Sequence, residues 1–236
     1  MGKSVAIIQS SYLPWKGSFD FIRSVNEFII LDSVQYTRRD WRNRNKIKTP
    51  SGLQWIAVPV DVKGRFHESI AETRIRDPGW YESHWKAIEL NYSRAAYWRQ
   101  LSSPLKELMR SVSDEPYLSR VNEHLIRGVC EILGLDTDIR RDTDLIQARD
   151  LARMEATERL LALCRAAGAT KYVSGPSARD YLEEGLFSEA GISVRYVDYS
   201  GYPEYPQLWQ GFDHHLSIID LLLNTGDQAL TFMKTL

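Results

Sequence analysis

The chain carries only two cysteines in 236 residues, Cys130 and Cys164, each inside an apolar helical pattern and without CxxC spacing. A disulfide scaffold and a thiolate zinc cluster are thereby excluded, and both thiols read as core residues of a protein from a reducing compartment. Long apolar runs are missing too. No stretch approaches the roughly 20 residues of a membrane span, and the opening MGKSVAIIQSSYLPW lacks the apolar length of a signal peptide, so a cytoplasmic protein with no membrane span is expected. Net charge is absent: thirty Lys+Arg against thirty-one Asp+Glu give −1, and the chain as a whole has no electrostatic reason to seek nucleic acid or an anionic membrane. The five histidines, His67, His84, His124, His214 and His215, show neither HExxH nor another metal-ligand spacing, so no metal is expected. SGPS at 174–177 lacks the GxSxG arrangement of a serine hydrolase. With no internal repeat, low-complexity tract or Pro/Gly/Ser linker, residues 1–236 are expected to form one domain.

What is present is an alternation of strands and helices. Residues 4–9 (SVAIIQ), 27–32 (EFIILD), 54–60 (QWIAVPV), 171–174 (KYVS) and 192–199 (ISVRYVDY) read as strands, Pro59 placing the third at an edge or at its own end, and 136–146 alternates like an exposed strand. Helices are expected from Gly17 onward, over 80–100, over 115–133 with Gly134 as its stop, over 155–167 with Gly168 as its stop, and over 178–190. The fold class is therefore α/β: a mainly parallel sheet flanked by helices, with right-handed crossovers and a helical middle insertion at about 78–134.

In an open sheet of this kind ligands bind beyond the carboxyl ends of the strands, which directs attention to three loops. The first sets Gln9, Tyr12, Trp15 and Lys16 just ahead of a helix amino end, a favourable place for an anion; its aromatic residues either staple the loop to the helix or wall a planar base or sugar face. The second, 32–48, holds Arg38, Arg39, Arg42, Arg44, Lys46 and Lys48 against the single acid Asp40 within 37–48. Such a local excess is either a solvated face or a phosphate or carboxylate site, with Trp41, Asn43 and Asn45 adding a stacking surface and hydrogen bonds. In the third loop Ser174 and Ser177 flank Gly175 and Pro176, as ligand groups or as a helix cap.

The segment 201–226 is the second dense region. Tyr202, Pro203, Tyr205, Pro206 and Trp209 make a stiff aromatic loop, belonging either to the site or to a subunit interface, and Ser217, Asp220 and Asn224 align on one face of an otherwise apolar helix. A buried Asp220 must find a partner, an arginine or lysine of the basic stretch, or else serve as a general base with an elevated pKa.

These segments resemble the WbqC-like protein family over nearly the whole chain. The agreement lies in Q-x-x-Y-L-P-W-x-G at 9–17, D-x-V-Q-[FY] at 32–36, W-x-N-R-N-x-I-K at 41–48, N-Y at 91–92, S-G-P at 174–176, Y-P-Q-L at 205–208 and L-S-I-I-D-L-L-x-N-x-G at 216–226. Ser10-Ser11 departs from the pair often found there, which touches the shape of the loop. The motifs add Asp32, Gln35, Asn91 and Gln207 to the candidate residues, Asp32 joining Asp220 as a candidate catalytic carboxylate.

The resemblance implies a bacterial protein of O-antigen, other surface-polysaccharide or nucleotide-sugar pathways. It implies a fold loosely like the nucleotidyltransferase and pantothenate-synthetase type, whose HxGH phosphate motif is absent from this chain. The expected activity is transfer of an acyl or aminoacyl group to the amine of a nucleotide-linked amino sugar. Arg42, Arg44, Lys46 and Lys48 would hold the phosphates, Tyr12 and Trp15 would wall the base or sugar, and the donor would be an acyl-CoA or an acyl group activated with ATP and Mg²⁺. The alternatives are a non-catalytic nucleotide-sugar or partner-binding protein of the same pathway, and an ATP-dependent ligase or nucleotidyltransferase. The expected partner is a nucleotide sugar or other phosphorylated small molecule, not nucleic acid, and a homo-oligomer stays open.

Overall fold

A computed structural model describes residues 2–234. Its first β-branched run is β1 (Ser4–Ile8), followed by α1 (Lys16–Arg23) and by β2 (Glu27–Ile30), which pairs parallel to β1 with Ile7 opposite Ile29. A hairpin of β3 (Arg44–Thr49) and β4 (Gly52–Ala57) and then three helices, α2 (Trp80–Tyr92), α3 (Trp98–Arg110) and α4 (Leu118–Leu133), separate β2 from β5 (Asp138–Arg141). After α5 (Ala148–Leu151) and α6 (Ala156–Ala166) come β6 (Lys171–Ser174), α7 (Glu184–Glu189), β7 (Ser193–Tyr196) and α8 (Ile218–Thr225).

The five strands outside the hairpin form one sheet in the order β5-β2-β1-β6-β7, every neighbouring pair parallel. The expected α/β class with a parallel sheet flanked by helices is what the chain adopts, with the helical insertion between β2 and β5. Successive side chains alternate between two cores because the strand period is two. Ala6, Phe28, Ile30, Ile139 and Val173 pack with α2, α3, α4 and α8. Val5, Ile7, Ile29 and Leu31 face the other way, onto Leu160, Leu163, Cys164 and Phe187. Cys130 and Cys164 are free and buried one in each core, and burial pushes both thiols up to about 12. No helix among the described residues is long and apolar enough to cross a membrane.

Three local expectations are corrected. The run at 54–60 joins no edge of the main sheet; Gly52–Ala57 pairs antiparallel with the basic segment, whose residues 44–49 are a strand and not loop. Asn45 and Ile47 turn inward while Arg44 and Lys46 turn outward, a period of two that charge on one face disguises. The helix expected over 80–100 is two helices, the second running through Pro104 to Arg110. The helix expected over 178–190 is a 3₁₀ turn at Pro176–Asp180 followed by the short α7.

Candidate functional site

The chain moves outward from β1 to β2 and β5, returns to β6 beside β1, and proceeds to β7, so the strand order reverses between β1 and β6. Loops leaving the carboxyl ends of those two strands must diverge, and the divergence leaves a crevice. Two cavities occupy it, of about 540 Å³ and about 360 Å³, and they share Ile8, Ser177 and Tyr199 as a common edge.

The larger lobe has an apolar floor of Ile7, Leu31, Leu160 and Tyr172, with Gln9, Arg159, Ser174 and Ser177 as its polar groups. Arg159 is fixed in that wall by donating to the carbonyls of Leu151 at 2.9 Å and Met154 at 2.7 Å. The smaller lobe is lined by Ser11, Pro14, Trp15 and Ser18 from the start of α1, Trp41, Arg42 and Asn45 from the basic segment, and His215. Trp15 stacks on His215 with ring centroids 5.1 Å apart and meets Tyr199 edge-on at 5.4 Å. The indole can fold back here because residue 17 is glycine: a Cβ there would come within 2.3 Å of the Trp15 ring.

The β1–α1 loop is held from three sides. Tyr12 N–H donates to the Trp41 carbonyl at 3.1 Å, the Asn45 side-chain amide donates to the Leu13 carbonyl at 2.7 Å, and Ile218 N–H donates to the Pro14 carbonyl at 2.9 Å. Leu13 between them adopts φ 40°, a left-handed conformation that a leucine keeps only when its surroundings enforce it. From below, Asp32 at the end of β2 accepts from Ser10 N–H at 2.9 Å, Ser10 Oγ at 2.6 Å and the Ser119 hydroxyl. Burial raises the Asp32 carboxyl above its ordinary range while the hydroxyls draw it back. Ser10, the unusual residue of the first motif, thus joins the loop to the sheet, and Asn122 of α4 completes the joint by donating to Ser10 Oγ at 3.0 Å and to the Arg42 carbonyl at 2.8 Å.

Of the first-loop candidates, Gln9 and Trp15 line the cleft and the other two do not. Tyr12 is fully buried, its hydroxyl 2.8 Å from His84 Nδ1, so it anchors the loop and walls nothing. Lys16 is buried between the rings of Tyr202 and Tyr205 and donates to the carbonyls of Pro203 and Phe232 at 3.0 Å each. Desolvation lowers its pKa to about 8.

The positive charge of the basic stretch largely finds its partners inside the protein. Arg42 donates to the carbonyls of Gln9 and Ser10 at 2.8 Å and lies 3.5 Å from Asp40, bracing the hairpin against the first loop. Arg38 lies over Phe66 and Arg44 over Trp55. Lys46 sits 3.5 Å from Asp213, and Lys48 donates to Gln207 Oε1 at 2.6 Å and to the Gly211 carbonyl. Asn43 donates to the Val58 carbonyl and Gln35 to the Phe66 carbonyl. Arg42 alone of the four proposed phosphate ligands lines the cleft.

Lys48 leads into a second, buried polar cluster. Both oxygens of Asp220 accept tyrosine hydroxyls, Tyr92 at 2.8 Å and Tyr205 at 2.7 Å; the Tyr92 oxygen accepts Lys48 N–H, and Gln207 donates to the Tyr205 oxygen at 3.1 Å. Burial raises the Asp220 carboxyl, against the pull of the two hydroxyls and of Lys48. Asp220 lines neither cavity. Its companions are equally occupied: Ser217 caps α8 by accepting Ile219 N–H, Asn224 donates to the Asp220 carbonyl at 2.7 Å, and Asn91 donates to the Ala87 carbonyl at 2.8 Å. Among the described residues no group of three or more His, Cys, Asp or Glu is arranged to hold a metal ion.

Ser11, Ser18, Arg159, Tyr172, Tyr199 and His215 were not among the residues that motif and spacing selected, nor were Ser119 and Asn122 beneath them. The last two carried a signal, two polar side chains three apart on the buried side of α4.

The molecule is therefore an α/β protein with a five-stranded parallel sheet and a two-lobed cleft where its strand order reverses. The chain belongs to the WbqC-like protein family, whose model matches residues 9–232. It is 49% identical over 232 residues to the uncharacterized protein Rv1507c of Mycobacterium tuberculosis, an alignment covering 98% of each chain. No solved structure matches.

Proposed function

We propose that the chain is an enzyme of bacterial surface-polysaccharide or nucleotide-sugar biosynthesis that transfers an acyl or aminoacyl group to the amine of a nucleotide-linked amino sugar, in the cleft between β1 and β6. The observation that carries this reading is the pairing of two adjoining lobes across a shared edge at Ser177 and Tyr199. A transferase must bring two reactants together, whereas a binder needs one pocket. The nucleoside fits the larger lobe, among Tyr172, Tyr181 and Tyr199, with Gln9 and Ser174 within its wall. The diphosphate passes Ser177 toward the amino end of α1, where the helix dipole and the Ser11 and Ser18 hydroxyls favour an anion.

The sugar lies against Trp15 in the smaller lobe. Its amine attacks the acyl carbonyl, the leaving group departs with the bonding electrons, and the amine proton passes to His215, the histidine of that wall. Arg42 and Asp32 act by fixing the loop that carries Ser11 and Trp15, and the Asp220 cluster acts by fixing the C-terminal segment that carries His215.

The test is a thermal-shift series with nucleotide amino sugars, acyl-CoA donors and ATP with Mg²⁺, followed by a transfer assay with the ligand that binds. A nucleotide amino sugar at a hundred times its dissociation constant should stabilise the protein by about 2.7 kcal/mol. Ser177→Phe, which fills the edge shared by the lobes, should abolish the shift. A shift from ATP and Mg²⁺ with none from any nucleotide sugar would replace this reading by the ligase. Binding of a nucleotide sugar without turnover of any acyl donor would replace it by the binding protein.

A further inference from the structure

We propose that the outer face of the β3–β4 hairpin is a docking surface for an anionic lipid bilayer. Among the described residues seven large apolar side chains are exposed, and four of them, Trp41, Leu53, Trp55 and Phe66, gather at this face. The register explains why. Lys46 stands opposite Trp55 on the side of the hairpin that points away from the buried Asn45, Ile47 and Ile56, and Leu53 lies two residues before Trp55 on that side, while Lys48 opposite it is buried under the C-terminal segment. The strip is continuous: Phe66 lies under Arg38 at 4.6 Å, the Arg39 carbonyl accepts from the Arg44 guanidinium, Arg44 lies over Trp55 at 4.4 Å, and Trp55 meets Trp41 at 5.3 Å with Lys46 within 5.9 Å of both rings.

Tryptophan and phenylalanine interleaved with arginine and lysine are the side chains that settle at a bilayer interface, their rings at headgroup depth and their cations against anionic headgroups. Charge complementarity is local. Among the described residues no carboxylate lies within salt-bridge distance of Arg38, Arg39 or Arg44, Lys46 is 3.5 Å from Asp213, and the neighbouring Asp61 and Glu68 are paired with Arg65, in a chain whose total charge is −1. Arg38 and Arg44 are oriented by backbone carbonyls and rings, contacts that leave their charge in place for the headgroups. Trp41 belongs both to this strip and to the wall of the smaller cleft lobe, so docking here turns the mouth of the cleft toward the membrane. The inference stands apart from the identity of the cleft's ligand.

The experiment is sedimentation of the full chain with vesicles of phosphatidylcholine alone and with vesicles in which about one-third is phosphatidylglycerol. The protein should pellet with the anionic vesicles only, with a blue shift of tryptophan emission, and added salt should release it. Leu53→Ser with Trp55→Ser should lower binding by about tenfold or more. Arg38→Glu with Arg39→Glu should do the same with the tryptophans intact, which covers the case in which the first double variant is misfolded. Failure to pellet with anionic vesicles, or binding that neither double variant weakens, overturns the proposal. Loss of a dimer in the serine variant, with no vesicle binding by the parent, overturns it in favour of an interface between copies. Retention on single-stranded DNA without vesicle binding overturns it in favour of nucleic acid.

Discussion

The Asp220 cluster and the cleft between β1 and β6 use polar side chains in opposite ways. Around Asp220 each carboxylate oxygen accepts a hydroxyl, and the tyrosines are in turn engaged by Lys48 and Gln207, so the cluster ties the hairpin, α2, the C-terminal loop and α8 into one joint. In the cleft Ser177 is exposed and the walls come from seven separate stretches of chain. A satisfied buried network rigidifies; accessible polar groups in a concave site are available to a ligand. The densest run of motif residues thus builds the scaffold, and the sparser one lines the cavity.

The contrast can be broken most forcefully at Asp220. Asp220→Ala leaves the hydroxyls of Tyr92 and Tyr205 without their acceptor and removes the negative charge near the Lys48 ammonium, and should destabilise by about 3 to 5 kcal/mol in urea unfolding. Asp220→Asn, which keeps an acceptor, should lose less than half of that and still show the ligand-induced thermal shift; loss of binding in a folded Asn variant would move Asp220 from scaffold to site.

Protonation offers a second lever. Burial holds His84, beneath the first loop, at a pKa of about 4. Its folded-state pKa lies below the unfolded value near 6.5, so the unfolded chain takes up the proton first and stability drains away as pH falls from 6.5 toward 4, by on the order of 3 kcal/mol. Buried carboxylates shift in the opposite sense, so the contribution is read as the difference in pH dependence between the parent and His84→Phe, which should lack this loss.

Gly17→Ala sharpens the comparison from the cleft side. The new Cβ must displace the Trp15 ring, so ligand affinity should fall about tenfold, while stability changes by about 1 kcal/mol or less. Smallest of all in the folded state is Ser177→Ala, an exposed hydroxyl, expected within about 0.5 kcal/mol of the parent in melting experiments. Its effect should appear only when the nucleotide-sugar titration is repeated.

Much of this architecture is legible in the chain. Runs such as SVAII and EFII, buried on both faces, could only be interior strands of a parallel sheet, and the loops after β1 and β6 follow as the place to look. The hairpin was hidden because its outward face is charged, which masks the alternation that marks a strand. The basic stretch pointed to an anion because sequence counts charges and not carbonyls: Arg42 is answered by the backbone of Gln9 and Ser10, which no pattern records. The burial of Asp220 is legible in its apolar helix, but the expected arginine or lysine partner is not what its oxygens meet: they accept the hydroxyls of Tyr92 and Tyr205. Tyr199 and His215 were out of reach, since each becomes a wall only when strands distant in the chain are laid side by side.

The contacts of α1 also set an order of events during synthesis. Lys16 waits 187 positions for the Pro203 carbonyl and 216 for that of Phe232, and Asp20 waits 214 for the N–H of Lys234. A chain still on the ribosome with residues 200 to 234 in the exit tunnel would carry an early helix with a buried-type lysine and aspartate bare to water, and one wall of its cleft missing. The protein becomes competent late and all at once, and a protease that clips the segment behind residue 200 returns it to that unfinished state.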